Sequence, residues 1–372
     1  MGYLGEEIKK LGFGFMRLPM NGEEVDIEQT KKMVDHYMDL GFTYFDTAYV
    51  YMNGKSEMAI RDAVVKRYPR ESFQLATKMP LHPIKEYADY QPIFDTSLER
   101  TQAGYFDFYL LHALNKDSYK KAEETGGWEF VQEMKKKGLV KHAGFSFHDS
   151  AEVLDEILTR HPEAEFVQLQ INYADWESDN VQSRLCYEVA RKHNVPVIIM
   201  EPVKGGSLAV MSKEIEDKFK AYNPNASVAS WALRYAASLE GLVTVLSGMS
   251  DEQQLEDNTS FMKDFQPLNE EERKVVAEVV EIFNKAPKIP CTACQYCVDD
   301  CPMKINIPRL FSTMNHYMTF GNKEADQRSY ENAVTDRGRA SECLHCGSCE
   351  SHCPQHLEII KELEKIAATF EN

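Results

Sequence analysis

Basic charge is scarce in this chain. Its 372 residues carry 42 Lys and Arg against 59 Asp and Glu, a formal net charge of −17. Such a surface repels phosphate backbones and anionic membranes, because nucleic-acid affinity comes mostly from Lys and Arg neutralising phosphates. Nucleic acid is therefore not expected as a partner. Long apolar runs are also missing: VPVIIM at 195–200 is typical of the strongest, far short of the roughly 20 residues that span a bilayer. No membrane span is expected. The opening MGYLGEEIKKLGFGF lacks a basic segment leading into an apolar stretch, so a cytoplasmic location is the expectation. Before position 291 cysteine occurs once, at Cys186, and the other eight crowd into the last 82 residues. Disulfides suit a reducing compartment poorly, so that crowding points to metal.

What is present is enough for a large core: 43% hydrophobic residues and 11% aromatic residues argue against disorder. From about residue 8 to 285, short β-like runs alternate with amphipathic runs of helical spacing. The strand candidates are LGFGFMRLP (11–19), FTYFD (42–46), FQLATKM (73–79), FDFYLLHA (106–113), KHAGFSF (141–147), FVQLQINY (166–173), VPVIIMEP (195–202) and LVTVLSG (242–248). Eight β/α units in about 280 residues match a (β/α)8 barrel, with a doubly wound open sheet as the alternative. The expected fold is therefore α/β: a barrel over 1–285, then a small, mainly helical domain over 286–372. In that second part IPRLFSTMNHYMTFG (307–321) and HLEIIKELEKIAATF (356–370) have helical spacing.

The cysteines of the second part form two copies of one pattern. Cys291, Cys294, Cys297 and Cys301-Pro302 repeat as Cys343, Cys346, Cys349 and Cys353-Pro354. Two-residue gaps let a short loop wrap a cubane, while the fourth cysteine leads away to the other cluster, as in two-cluster ferredoxins. A zinc ribbon would leave four of these thiols without a role. Two [4Fe–4S] clusters are expected, one on Cys291, Cys294, Cys297 and Cys353, the other on Cys343, Cys346, Cys349 and Cys301. Their proximity suits electron relay with a redox partner protein, and the iron–thiolate bonds would also staple a domain with a thin core. Cys186, in RLCYEVARKH, reads as a small buried hydrophobe.

In the first part, Asp46, Lys78 and His112 end three successive strand candidates, at spacings of 32 and 34. Neighbouring strands lie about 4.8 Å apart, and barrel active sites form at the C-terminal strand ends. Tyr51 follows on the adjoining loop. A phenol with an ordinary pKa of about 10 is a poor acid at neutral pH, and a nearby Lys ammonium is expected to lower that value. The four residues read as a proton donor for a carbonyl oxygen that becomes an alkoxide.

LGFGFMRLP, FDTAYVY, ATKMP, LLHAL, GFSF and SGMSDEQQLEDN together resemble the aldo/keto reductase family over roughly residues 8–285. The resemblance implies a (β/α)8 barrel and hydride transfer between a nicotinamide cofactor and a small carbonyl or alcohol. On it Tyr51 is the general acid, tuned by Lys78 and Asp46, while His112 orients the substrate. Ser146 and Gln168 match positions that hold the nicotinamide carboxamide. Gly205, Gly206 and Ser207 match the loop over the pyrophosphate, Ser247 and Gly248 open the late motif, and Asn258 matches an adenine-side contact. The cysteine-rich tail is similar to an iron–sulfur subgroup of the family. Phe147 and Met200 depart from the family pattern. No Lys or Arg stands between 247 and 258, and Asp251, Glu252, Glu256 and Asp257 turn that segment away from a 2′-phosphate, leaving NADP or NAD open. The expected function is NAD(P)H-dependent carbonyl reduction, or the reverse alcohol oxidation, beside two clusters. The alternative is an electron-transfer or assembly subunit whose barrel binds without turnover.

Overall fold

The structure is a computed structural model that describes Leu4 and residues 7–285, 288–320 and 323–371. Eight parallel strands close into a barrel: β1 (Leu11–Gly14), β2 (Tyr44–Asp46), β3 (Gln74–Met79), β4 (Phe106–Leu114), β5 (Val140–Phe147), β6 (Phe166–Gln170), β7 (Val197–Met200) and β8 (Leu242–Gly248). Each pairs with its sequence neighbours, and β8 closes onto β1 through Leu11 opposite Val245 and Gly14 opposite Gly248. A two-stranded hairpin, Met20–Asn21 with Glu24–Val25, lies outside the barrel.

Alternation along each strand decides what faces inward. Tyr44, Ala76, Phe108, Leu110, Phe166 and Ile198 meet in the interior, with the Phe108 ring 5.1 Å from Tyr44 and 5.2 Å from Phe166. Two residues further along the same faces come Asp46, Lys78, His112 and Gln168, at the C-terminal rim. Helices cover the outside. Ile27–Asp39 starts where Asp26 accepts a hydrogen bond from the Gln29 amide, and it buries Met33, Val34 and Tyr37 at helical spacing. Tyr37 donates to the carbonyls of Leu11 and Tyr44 at 2.7 and 2.9 Å, which fixes β1 and β2 just below Asp46.

Several strands are shorter than their apolar runs. The run 166–173 stops as a strand at Gln170, because Asn172 turns to accept the Asp175 amide at 2.9 Å and donate to its carboxylate at 2.8 Å. The run 195–202 is trimmed to 197–200, and 11–19 to 11–14. In β4 the register slips between Leu111 and Leu114, and Ala113 adopts a left-handed φ of 54°.

After helix Glu270–Lys285 the chain forms a second apolar core. Ile305, Leu310, Phe311, Tyr330, Ile359, Leu363, Ile366 and Phe370 bury each other between the helices Ile307–Phe320, Lys323–Val334 and Ile359–Phe370. The expected boundary at 285/286 falls against residues 286 and 287, which lie outside the described residues. Among the described residues no helix is long and apolar enough to cross a membrane.

Candidate active site

Lys78 is the hinge of the rim chemistry. Its Nζ donates to Asp46 Oδ1 at 2.6 Å, to the Thr47 carbonyl at 2.7 Å and to the Tyr51 hydroxyl at 3.2 Å. It is 1% exposed, so burial is the main force on its pKa and lowers it, with the Asp46 charge opposing. Burial raises the Asp46 carboxyl, again against its partner. Tyr51 departs from the expectation of an acidified phenol. Its pKa stands well above the ordinary value, first through burial and then through the Asp46 charge, while a hydrogen bond from Tyr296 pulls it back down. The physical reason is that Lys78 and Asp46 form one neutral pair, so the phenol meets a compensated charge in a dry place.

His112 is buried and held neutral, its pKa well below the ordinary value through burial and then the neighbouring Lys78, His148 and His82 charges. Its Nε2 lies 3.2 Å from the Tyr296 hydroxyl. Tyr296 lies between Cys294 and Cys297 in the second part of the chain, so a cysteine loop reaches into the barrel mouth.

A cavity of about 590 Å³ opens beside this group. Its wall brings together most of the residues singled out above: Asp46, Tyr51, Gln168, Gly205, Gly206, Ser247, Gly248 and Asn258. Asn258 Nδ2 donates to Ser247 Oγ at 2.9 Å. Ser146 pairs in register with Gln168 but lies behind the wall, where its Oγ accepts the Ala113 amide at 2.7 Å. Ser207 is exposed and off the wall, and His112 is not part of it either.

Arg17, Gln170, Glu201, Tyr296 and Gln355 are wall residues that the sequence reading passed over. Arg17 Nη2 donates to the Thr292 carbonyl at 2.7 Å. Gln355 exchanges hydrogen bonds with Gln170 at 2.8 and 3.1 Å and thereby joins the buried Lys204–Asp175 pair. Glu201 and Gln355 each carried a signal: the one directly follows a strand end, the other lies two residues after Cys353.

The wall fits a dinucleotide. Gln168 Oε1, Asp46 Oδ2 and Glu201 Oε2 are buried without a hydrogen-bond partner among the described residues, and all three residues face this cavity. Buried acceptors of this kind call for donors from a ligand, such as a carboxamide or sugar hydroxyls.

The cysteine loops fit iron–sulfur clusters by their donor chemistry. Cys291, Cys294, Cys297 and Cys353 are near enough for each thiolate to disfavour ionisation of another, and Cys349 feels Cys343 and Cys301 in the same way. Cys301, Cys343, Cys346 and Cys349 line one small cavity with Ile305, Ile307 and Leu363. The two loops repeat in backbone as well as in sequence. Left-handed residues fall at Ala293 and Gln295 in one loop and at His345 and Gly347 in the other, then at Lys304 and His356. Among the described residues no three His, Cys, Asp or Glu converge on a single ion.

Residues 10–281 match the family model described as the aldo/keto reductase family, and residues 290–358 match a 4Fe-4S dicluster domain. The chain belongs to the aldo/keto reductase family, and with it to the NAD(P)-dependent oxidoreductases. Glyoxal reductase of Bacillus subtilis is 26% identical over 274 residues, covering 73% of this chain and 90% of that protein. The soybean (Glycine max) protein named probable aldo-keto reductase 1 is 29% identical over 190 residues, and this chain spans only 52% of its length. Two solved structures share the fold. The thermostable aldo-keto reductase Tm1743 superposes with a TM-score of 0.60 at 21% identity, covering 75% of this chain and 98% of its own. A Klebsiella pneumoniae aldo-keto reductase in complex with NADPH gives 0.57 at 19% identity, covering 77% and 94%.

Proposed function

We propose that this aldo/keto reductase reduces a small aldehyde or ketone, or runs the reverse alcohol oxidation, at the cavity beside Tyr51, under a domain that carries two [4Fe–4S] clusters. The contact between Lys78 and Tyr51 carries the reading: a proton-bearing phenol, held by a buried ammonium, faces a cavity with unpartnered acceptors. When bound, a nicotinamide there supplies the hydride. Gln168 would hold its carboxamide, the Gly205–Gly206 loop would lie along the diphosphate, and Asn258 would border the adenine.

Tyr51 gives its proton to the oxygen of the reduced carbonyl. Lys78 steadies the phenolate that remains, and Asp46 keeps Lys78 charged while the site is dry. General acid catalysis of this kind contributes about 10²–10⁴-fold. Burial keeps Tyr51 protonated at neutral pH, so the acid form is the one present before the carbonyl arrives.

Cys291, Cys294, Cys297 and Cys353 would hold one cluster, and Cys343, Cys346, Cys349 and Cys301 the other. When loaded, such clusters supply one-electron steps to a redox partner protein. Among the described residues Arg17 is the one Lys or Arg on the cavity wall, and its guanidinium donates to the Thr292 carbonyl, so the adenine end favours NADH over NADPH. The test is methylglyoxal reduction by Tyr51→Phe with either nucleotide. A loss of at least a hundredfold in kcat is expected, and activity within tenfold of the parent overturns the assignment.

A further inference from the structure

The residue that the sequence assigns to substrate orientation does not reach the cavity. His112 is buried behind the wall, and the hydroxyl of Tyr296 stands 3.2 Å from its Nε2. Tyr296, by contrast, lines the cavity together with Tyr51 and Asp46. The rings stand edge to face around His112, with centroids 5.8 Å away for Tyr51 and 6.1 Å for Tyr296.

We propose that Tyr296 takes the orienting place at the reacting carbonyl oxygen beside Tyr51, and that His112 acts only through it, as a positioning residue. The proposal rests on Tyr51 as the acid and adds the second group that the oxygen meets.

Proton counting gives the arrangement its direction. A neutral imidazole with its proton on Nε2 donates to the Tyr296 oxygen, which leaves the single Tyr296 proton free to point at Tyr51 or at an oxygen between the two. A substrate oxygen placed between the two hydroxyls would accept from both.

Cluster binding does not explain the tyrosine. The two cysteine loops share spacing and left-handed positions, yet the residue after Gln295 is Tyr296, whereas the residue after Gly347 is Ser348. One loop carries an aromatic hydroxyl into the barrel; its twin manages with a serine. Arg17, through the Thr292 carbonyl, and the Gln170–Gln355 pair hold the loop region to the rim from two sides, so Tyr296 has a fixed approach.

The experiment is a double-mutant cycle on the full chain with both clusters loaded, using methylglyoxal as the carbonyl. Tyr296→Phe and His112→Asn are each expected to lower kcat/KM at least tenfold, and the double variant to fall no more than about threefold below the worse single. Acetate, a carboxylate that offers the same kind of oxygen, gives a second reading by equilibrium binding to the nucleotide-loaded protein. Either single substitution should weaken it at least fivefold. Tyr296→Phe within twofold of the parent, or effects that multiply in the double variant, overturns the proposal. Iron per chain is measured alongside. Should Tyr296→Phe hold less iron, His112→Asn decides alone, since that residue belongs to β4 and is neither on the cavity wall nor among the cysteine ligands: weakened acetate binding supports action through Tyr296, and unchanged binding overturns it. A Tyr51→Phe variant that still turns over sinks the general-acid assignment. A dead Tyr51→Phe beside an active Tyr296→Phe sinks only the present one.

Discussion

A charged side chain that is 1% exposed survives only with its partner, and Lys78 shows what that demands. Lys78→Met removes the one cation that, among the described residues, contacts Asp46, and it leaves a carboxylate whose other oxygen already has no partner among them. Breaking a buried pair from one side costs about 3–5 kcal/mol. The variant is expected to unfold at clearly lower denaturant and to lose at least a hundredfold in kcat, read by urea titration and carbonyl reduction. His148, on the cavity wall, makes the pH case. Burial, and then the His356 charge, lower its pKa to about 4, from about 6.5 in an unfolded chain. The unfolded state therefore binds more protons between those values, so this histidine's contribution to stability is complete above about 6.5 and is lost as pH falls through 4. It amounts to no more than about 3 kcal/mol. His148→Gln should flatten the difference in unfolding free energy between pH 7.5 and pH 5, and an unchanged difference would show that other groups set it.

At the level of strands and loops, the meeting of the rim loop with the cysteine loop is a tight joint. Gly205 has φ +64°, and a Cβ there would lie 2.4 Å from the Thr292 carbonyl oxygen, a backbone atom that cannot swing aside. Gly205→Ala should cost about 1–3 kcal/mol and weaken nucleotide binding, measured by fluorescence titration. Much of this level was legible beforehand. The apolar, β-branched run 242–248, closed by Gly248, has the ends of β8, and Asp46 and Lys78 stand at C-terminal strand ends as their places in the runs 42–46 and 73–79 imply. The run 166–173 was overread because apolar character continues past Gln170, while the turn there is made by side-chain bonds of Asn172 that no hydropathy pattern reveals. His112 was given the right strand but the wrong reach, for the bulge at Ala113 and the arrival of Tyr296 depend on chain segments 184 residues apart. Tyr51 was given the right neighbours and the wrong shift, since desolvation is a property of the packed site.

For the molecule as a whole, the crossing of the cysteine sets makes a prediction that spacing alone cannot mimic. Cys353 belongs to the second motif by sequence and stands with Cys291, Cys294 and Cys297 in space. Cys353→Ser should therefore disturb the cluster proposed on Cys291, Cys294 and Cys297 and weaken nucleotide binding. Cys301→Ser should leave that affinity unchanged while removing a comparable share of iron. Equal effects of the two would mean that each motif closes on itself. The docking of the helical part has one more consequence. Thr292 rests on Gly205, so the loop proposed for the diphosphate would carry a second folded body with it in any movement that frees a dinucleotide. On the proposed function, departure rather than chemistry is expected to pace the cycle, and rapid mixing should then reveal a fast first round followed by slower successors.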